Sequence, residues 1–209
     1  MFFYASAIVF LVAYLMGSIP FGFLICMYNG VDIRTKGSHN IGATNVTRVM
    51  GSTYGRLCFA LDFLKGLFAV VCVGGPLGRA LGVGTDWGCI VGAAAAVVGH
   101  IYPFWLGFKG GKGVATSIGV LFGLAIWPVI IALLVWYAVY RKTLIVSVAS
   151  LATAAAAPLA AVLVRWLGIE RISWHAILLM FILGGLIWWR HRENIVRLIH
   201  GEENAFRKK

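Results

Sequence analysis

Six long apolar stretches, separated by short charged or glycine-rich connections, make up most of the sequence. They lie near residues 3–26, 54–74, 87–106, 114–140, 144–166 and 172–189. Crossing roughly 30 Å of hydrocarbon takes about 20 helical residues, so stretches of this length are typical of membrane-spanning helices. The pattern therefore predicts an all-α polytopic membrane protein, with a single integral membrane domain over residues 1–209.

The composition excludes an ordinary soluble domain. Of the 209 residues, 61% are hydrophobic and 12% are charged, whereas soluble domains are roughly 45–50% apolar and about 25% charged. The same balance argues against a disordered chain and a disulfide scaffold. The four cysteines lie inside apolar stretches without the spacing of a zinc site, so we expect core cysteines and no bound metal.

The net charge of +11 is concentrated in a few connections. Fourteen of the eighteen Lys and Arg residues lie in four clusters, at 34–56, 109–112, 141–142 and 190–209. Because cationic connections stay in the cytoplasm, the distribution predicts an outside N-terminus and a cytoplasmic C-terminus. Charge placed in this way marks topology, and we expect no nucleic-acid partner.

This orientation requires an odd number of crossings, which six simple spans do not provide. The stretch at 114–140 has cations at both ends and Pro128 near its middle. Since proline interrupts a helix interior, we predict two short helices, at about 114–126 and 128–140, that form a hairpin on the cytoplasmic side. The prediction then becomes seven membrane helices, with the interruption beside a polar site.

Three polar segments lie on the predicted cytoplasmic face. The first, at 37–48, is a run of small hydroxyl and amide residues that ends with Arg48. Its composition fits either a loop with capping residues or a site for an anionic, hydroxylated ligand, since many side-chain donors lie beside a guanidinium.

The second segment, at 99–113, is rich in glycine and lysine and leads into a predicted helix. Consecutive backbone N–H groups, two ammonium groups and a helix N-terminus together favour phosphate binding. The segment is not a Walker A loop, because Leu106 and Gly113 stand where a glycine and a hydroxyl residue are required. The sequence thus predicts a phosphate site but not a nucleoside triphosphatase.

The third segment, at 190–203, is predicted as a helix that continues from the last span. Arg190, His191, Asn194 and Arg197 share one face of such a helix. A basic helix at this position also serves as a topology signal and an anchor for anionic lipid. Both this role and a functional role for the polar face stay open.

Two charges, Asp62 and Lys65, fall inside the second span. An ionisable pair inside the membrane is a functional candidate. A structural pair whose charges neutralise each other fits the sequence equally well.

The sequence lacks the residues of several common acyl and phosphoryl transferases. No histidine is followed five positions later by an aspartate, and the seven carboxylates are scattered along the chain. Lys, Arg and backbone N–H groups must therefore neutralise any bound phosphate, which favours a substrate that already carries a good leaving group.

The runs GSHNIGATNVTRVMG, GHIYPFWLGFKGGKGVAT and RHRENIVRLIHGEE resemble the three ordered motifs of the bacterial acyl-phosphate:glycerol-3-phosphate acyltransferase family, often called PlsY. The resemblance covers essentially the whole chain. It implies a multi-pass enzyme of the bacterial inner membrane that transfers a fatty acyl group from acyl phosphate to the 1-hydroxyl of glycerol 3-phosphate. The products are lysophosphatidate and inorganic phosphate, in the committed step of phospholipid synthesis.

The resemblance also implies the roles of individual residues. The expected catalytic residues are Ser38, His191 and Asn194, and Glu203 is expected to be structural. The expected substrate-binding residues are Asn40, Asn45, Arg48, His100, Lys109, Gly110, Gly111, Lys112 and Gly113. One position departs from the family pattern, since His39 stands where the family usually has glycine.

The resemblance implies acyl phosphate, glycerol 3-phosphate and membrane lipid as partners, no cofactor, and a soluble phosphate acyltransferase upstream. We expect the glycine-lysine loop and Arg48 to hold glycerol 3-phosphate, and Ser38, Asn40 and Lys112 to meet the donor phosphate. His191, steadied by Asn194, orients or deprotonates the hydroxyl, unless a substrate phosphate oxygen is the base.

Two rival functions fit parts of the sequence. Basic sites near broken helices also occur in carriers of anionic metabolites, although no inverted repeat is evident here. A membrane phosphatase would also release phosphate, but it would not need the acceptor.

Overall fold

A computed structural model of the chain describes residues 1–205 as helices joined by turns and loops, with no strand in this range. A π-helical segment, Ala69–Gly74, continues the helix Ser52–Phe68 into the helix Gly75–Ala80. The last part of the basic cluster at 190–209, residues 206–209, lies outside the described residues. The α-helices are α1 Phe2–Gly17, α2 Phe21–Tyr28, α3 Ala43–Met50, α4 Ser52–Phe68, α5 Gly75–Ala80, α6 Thr85–Ile101, α7 Val114–Leu124, α8 Ile126–Thr143, α9 Val146–Trp166, α10 Trp174–Arg190 and α11 Arg192–Ile199. The predicted all-α architecture is confirmed.

Five helical segments of the described chain are long and apolar enough to cross a membrane. They are Phe2–Tyr28, Ser52–Ala80, Thr85–Leu106, Ile126–Thr143 and Val146–Trp166. Helices α7 and α10 are apolar but shorter, with 11 and 17 residues. The count of seven membrane helices, the orientation and the single-domain organisation stay predictions.

The chain divides into two compact units, which are described separately. Unit 1 is Met1–Leu124, and unit 2 begins at Ala125. In unit 1, α1 packs against α6 and α4 packs against α7. These contacts bring backbones together, since a Cβ added to Gly17 would lie 2.2 Å from the carbonyl oxygen of Ala96. Such close approach is typical of packing between membrane helices.

The first predicted span is interrupted. Helix α1 ends at Gly17, and α2 begins at Phe21, after Pro20. The carbonyl of Ile19, exposed by this break, accepts a hydrogen bond of 2.8 Å from Nζ of Lys65 on α4. The same carbonyl also accepts a hydrogen bond of 3.1 Å from the Phe21 N–H, so the charge inside the second span adds a second hydrogen bond at this break.

In unit 2, α8 packs against α9, and α9 packs against α10. The N-terminus of α8 is capped by the connection between α9 and α10. The backbone N–H groups of Ile126 and Trp127 donate to the Glu170 carboxylate at 3.0 and 3.1 Å. A carboxylate at this position satisfies open donors and complements the helix dipole.

The prediction of a half-length helix at 128–140 is wrong. Helix α8 has 18 residues, or about 27 Å. Pro128 lies in its first turn, where a missing N–H costs no internal hydrogen bond. The chain breaks instead at Ala125, which is extended at φ −161° and ψ 118°. The first helix of the pair, α7, is short as predicted.

The cytoplasmic-side hairpin must also be corrected. Helix α8 begins beside Glu170, which follows the 21-residue helix α9, and it ends at Thr143, just before α9 begins. Helix α8 is therefore long enough to cross the membrane. It is too long for a hairpin that stays in one half of the membrane.

This arrangement predicts which residues of unit 2 share a membrane face. Single cysteines at Trp127 and Ile169, both exposed, should react from one side with a membrane-impermeant maleimide. A cysteine at Lys142 should react only from the other side. The measurement is labelling of intact and permeabilised cells in a Cys72→Ser background, because Cys72 is exposed. Labelling of positions 127 and 142 from the same side would contradict it.

Candidate functional site

The first polar segment is a loop built around one buried amide. The Asn45 side chain is 1% exposed. Its Oδ1 accepts a hydrogen bond from the Ser38 N–H at 2.9 Å, and its Nδ2 donates to the carbonyls of Lys36 and Asn40 at 3.0 and 2.8 Å. The amide of Asn45 therefore shapes the loop through its backbone contacts, and its part in substrate binding stays a prediction.

The same loop presents the other predicted residues at its surface. Ser38 is exposed, and Asn40 and Arg48 are partly exposed. Oδ1 of Asn40 accepts a hydrogen bond of 2.9 Å from the N–H of Gly42, the residue before α3. Arg48 lies in the last turn of α3. The segment therefore carries a hydroxyl and an amide before the N-terminus of α3 and a guanidinium in the last turn of the same helix.

His39, which stands where the family usually has glycine, adopts a backbone conformation typical of glycine. Its φ is +57°, in the left-handed region that glycine adopts without strain. Histidine is among the residue types that tolerate this region. Nδ1 of His39 lies 2.9 Å from the carbonyl oxygen of Arg34, a hydrogen bond that a glycine could not make.

The glycine-lysine loop, residues 107–113, is pressed against the end of α6. The N–H groups of Gly110 and Gly111 donate to the carbonyls of Ile101 and His100, each at 3.1 Å. A Cβ added to Gly110 would lie 2.2 Å from the His100 carbonyl oxygen, and one added to Gly111 would lie 2.1 Å from His100 Nε2. Only glycine permits this approach, so the loop's shape depends on its lack of side chains.

The loop carries its cations next to a helix N-terminus. Lys109 is exposed and Lys112 is partly exposed. Gly113, at φ +86°, turns the chain into α7, where the Ser117 N–H donates to its carbonyl at 2.7 Å. Two ammonium groups beside a helix N-terminus form a favourable setting for a phosphate.

A buried ionic cluster lies beneath this loop. Nδ1 of His100 is 3.5 Å from Oδ1 of Asp62, and Nζ of Lys65 is 2.8 Å from the same oxygen. The side chain of His100 is 5% exposed. His100 thus contacts the loop from its buried side, and the substrate-binding role that the resemblance implies for it stays a prediction. The pairing of Asp62 with His100 was missed because 38 positions separate them in the chain.

The third segment is not one continuous helix. Helix α10 ends at Arg190 and α11 begins at Arg192, so His191 lies at the break. His191 is 4% exposed, and its Nδ1 is 2.8 Å from the Ile187 carbonyl oxygen. Since a carbonyl oxygen only accepts hydrogen bonds, this contact places a proton on Nδ1 and leaves the lone pair of the neutral ring on Nε2.

Glu203 ties α11 to α9. Its Oε1 accepts hydrogen bonds from Nδ2 of Asn194 at 2.5 Å and from Oγ of Ser147 at 2.9 Å, and its Oε2 accepts one from Nε of Arg197 at 2.8 Å. The carboxylate side chain is 4% exposed. Burial alone would raise the Glu203 pKa, but the three donors outweigh it and hold the pKa below its usual range.

Known proteins that are similar to this chain identify its family. A family model described as glycerol-3-phosphate acyltransferase matches residues 7–201. The chain belongs to this family. The resemblance seen in the three motifs is thereby confirmed.

Relatives match along almost the whole chain. The glycerol-3-phosphate acyltransferase of Aquifex aeolicus (strain VF5) is 42% identical over 93% of this chain and 95% of its own length. The protein of that name from Geobacter sulfurreducens is 43% identical over 94% and 95%.

Two crystal structures are similar to the whole fold. Both are of PlsY (YgiH), an integral membrane glycerol 3-phosphate acyltransferase. The glycerol 3-phosphate form has a TM-score of 0.83 and 39% identity over 97% of this chain and 96% of that one. The lysophosphatidic acid form has a TM-score of 0.81 and 38% identity. Together with its apolar helices, this similarity shows that the chain is a multi-pass membrane protein.

Glu203 provides a test of how the third segment is held. A carboxylate with a lowered pKa stabilises the fold above its unfolded pKa, and this contribution disappears as the pH falls through the folded value. Glu203→Gln should therefore cost roughly 2 kcal/mol at neutral pH, because it removes a charge that accepts three hydrogen bonds.

The measurement is the thermal midpoint of the purified protein between pH 7 and pH 3, with Glu202→Gln, at an exposed neighbour, as the matched control. The difference between Glu203→Gln and wild type should shrink towards the acid end. A difference independent of pH would contradict the assignment.

Proposed function

We propose that this protein transfers a fatty acyl group from acyl phosphate to the 1-hydroxyl of glycerol 3-phosphate, releasing lysophosphatidate and inorganic phosphate. The observation that carries the proposal is the glycine-lysine loop, which lies on the end of α6 with two lysines beside the N-terminus of α7. The names of the relatives, and the glycerol 3-phosphate and lysophosphatidic acid forms of the similar structures, support this choice of acceptor and product.

The loop suits a phosphate that is bound by lysine charges and by a helix N-terminus, since the N–H groups of Gly110 and Gly111 donate to α6. Lys109 and Lys112 supply two positive charges, and Gly113 precedes the N-terminus of an 11-residue helix. Such groups neutralise phosphate without an acid or a metal. Arg48, in the same unit, adds a guanidinium that can bind phosphate oxygens in a bidentate manner.

Acyl phosphate fits the limited chemistry of the chain. The hydroxyl oxygen of glycerol 3-phosphate attacks the acyl carbon, the bond from that carbon to the phosphate oxygen breaks, and phosphate leaves with its electron pair. Phosphate is a good leaving group, so positioning and charge stabilisation supply most of the catalysis. With seven acidic residues in 209, the chain offers few carboxylates for stronger acid–base work.

We assign to His191 the role of orienting or deprotonating the attacking hydroxyl. Its Nδ1 is held by the Ile187 carbonyl, so Nε2 of the neutral ring can accept a hydrogen bond or the hydroxyl proton. A phosphate oxygen of a substrate is the alternative acceptor for that proton. Asn194 steadies this segment through Glu203, and Ser38 and Asn40 are assigned to the donor phosphate.

The proposal includes a place for the reaction in the cell. The active face is cytoplasmic, in a bacterial inner membrane, where the basic connections lie under the positive-inside rule. A soluble phosphate acyltransferase upstream would supply acyl phosphate. The reaction would then be the committed step of phospholipid synthesis.

Purified protein in detergent tests this function through phosphate release. We expect release only when acyl phosphate and glycerol 3-phosphate are both present, with one lysophosphatidate formed for each phosphate. Release without the acceptor would identify a phosphatase. Binding of glycerol 3-phosphate without any release would identify a carrier, and either result would contradict the proposal.

A further inference from the structure

The second span contains a buried charge pair that the proposed reaction does not use. Asp62 and Lys65 lie one turn apart on α4, and each side chain is 3% exposed. Burying two charges inside a membrane protein is costly, and the cost is met only when each charge is well paired. The pair therefore requires a reason beyond mutual neutralisation, since two apolar residues would fill the same space at lower cost.

The pair contacts two other segments of unit 1 and a cysteine on its own helix. Lys65 donates to the Ile19 carbonyl at the break between α1 and α2. Asp62 lies 3.5 Å from Nδ1 of His100, the penultimate residue of α6. Sγ of Cys58, one turn earlier on α4, lies 3.7 Å from the other carboxylate oxygen. Helix α4 thus contacts both the break between α1 and α2 and the ring of His100 near the end of α6.

His100 passes this constraint to the glycine-lysine loop. Its carbonyl accepts the N–H of Gly111, and a Cβ on Gly111 would lie 2.1 Å from its Nε2. The loop backbone therefore packs directly against the imidazole ring. If the ring were free to rotate, this packing contact would be lost next to the residues assigned to phosphate.

We propose that Asp62, Lys65 and His100 form a positioning cluster that holds the glycine-lysine loop in its phosphate-binding shape. The three residues act through the loop and do not touch substrate. This inference rests on the proposed function for its link to glycerol 3-phosphate, but the loop's order can be measured without catalysis.

Two uncharged double variants separate positioning from charge neutralisation. Asp62→Ala with Lys65→Met removes both charges and the carboxylate that meets His100. Asp62→Asn with Lys65→Met removes the same charges but keeps a polar oxygen facing Nδ1 of His100. If the pair only neutralises itself, the two variants should behave alike.

We expect the alanine variant to raise KM for glycerol 3-phosphate about tenfold, because the carboxylate that faces His100 is lost, with kcat changed less than about twofold. Hydrogen exchange of the 107–113 amides should be faster. The asparagine variant should restore both values towards wild type. Equal KM values and equal exchange in the two variants would overturn the proposal.

His100→Ala keeps the pair intact and covers the case in which the alanine double variant does not fold. It should raise KM and speed exchange of the same amides, whereas His175→Ala, at an exposed histidine of α10, should do neither. Unchanged exchange in His100→Ala would overturn the proposal. If wild type shows no acyl transfer, the proposed function fails, and the exchange measurement still decides the positioning role.

Discussion

The arrangement of unit 1 depends on one costly interaction, the burial of Asp62 and Lys65 inside a membrane helix. The two atoms that pair are 2.8 Å apart, and each charge also meets a group from another segment. Lys65 donates to the Ile19 carbonyl, and Asp62 faces His100. Because an unpaired charge here would be severely destabilising, these contacts fix the broken first span and the end of α6 relative to α4.

The two polar loops of unit 1 are shaped by different means. In the first loop, the buried amide of Asn45 accepts a hydrogen bond from the Ser38 N–H and donates one to the Asn40 carbonyl. In the second loop, Gly110 and Gly111 have no side chains, so the backbone packs directly against the end of α6. In both loops the backbone is held by polar contacts, and cations such as Lys109 and Arg48 lie wholly or partly at the surface.

The apolar stretches and the three motifs were predictable from the sequence because membrane spans and ordered motifs are local signals. The position of the break before α8 was not, since proline is equally compatible with a helix interior kink and with a first turn. Only the contact of Glu170 with Ile126 fixes it. The contact between Asp62 and His100 was also beyond the sequence, because it depends on how α4 and α6 pack.

The central claim is that the glycine-lysine loop binds glycerol 3-phosphate in the shape set by His100. The most direct measurement is steady-state kinetics of Gly111→Ala, whose new Cβ would meet the imidazole at 2.1 Å. Gly185→Ala, where a Cβ meets no atom within 4 Å, is the control. The account predicts that KM for glycerol 3-phosphate rises more than kcat falls in Gly111→Ala alone. A fall in kcat with an unchanged KM would contradict it.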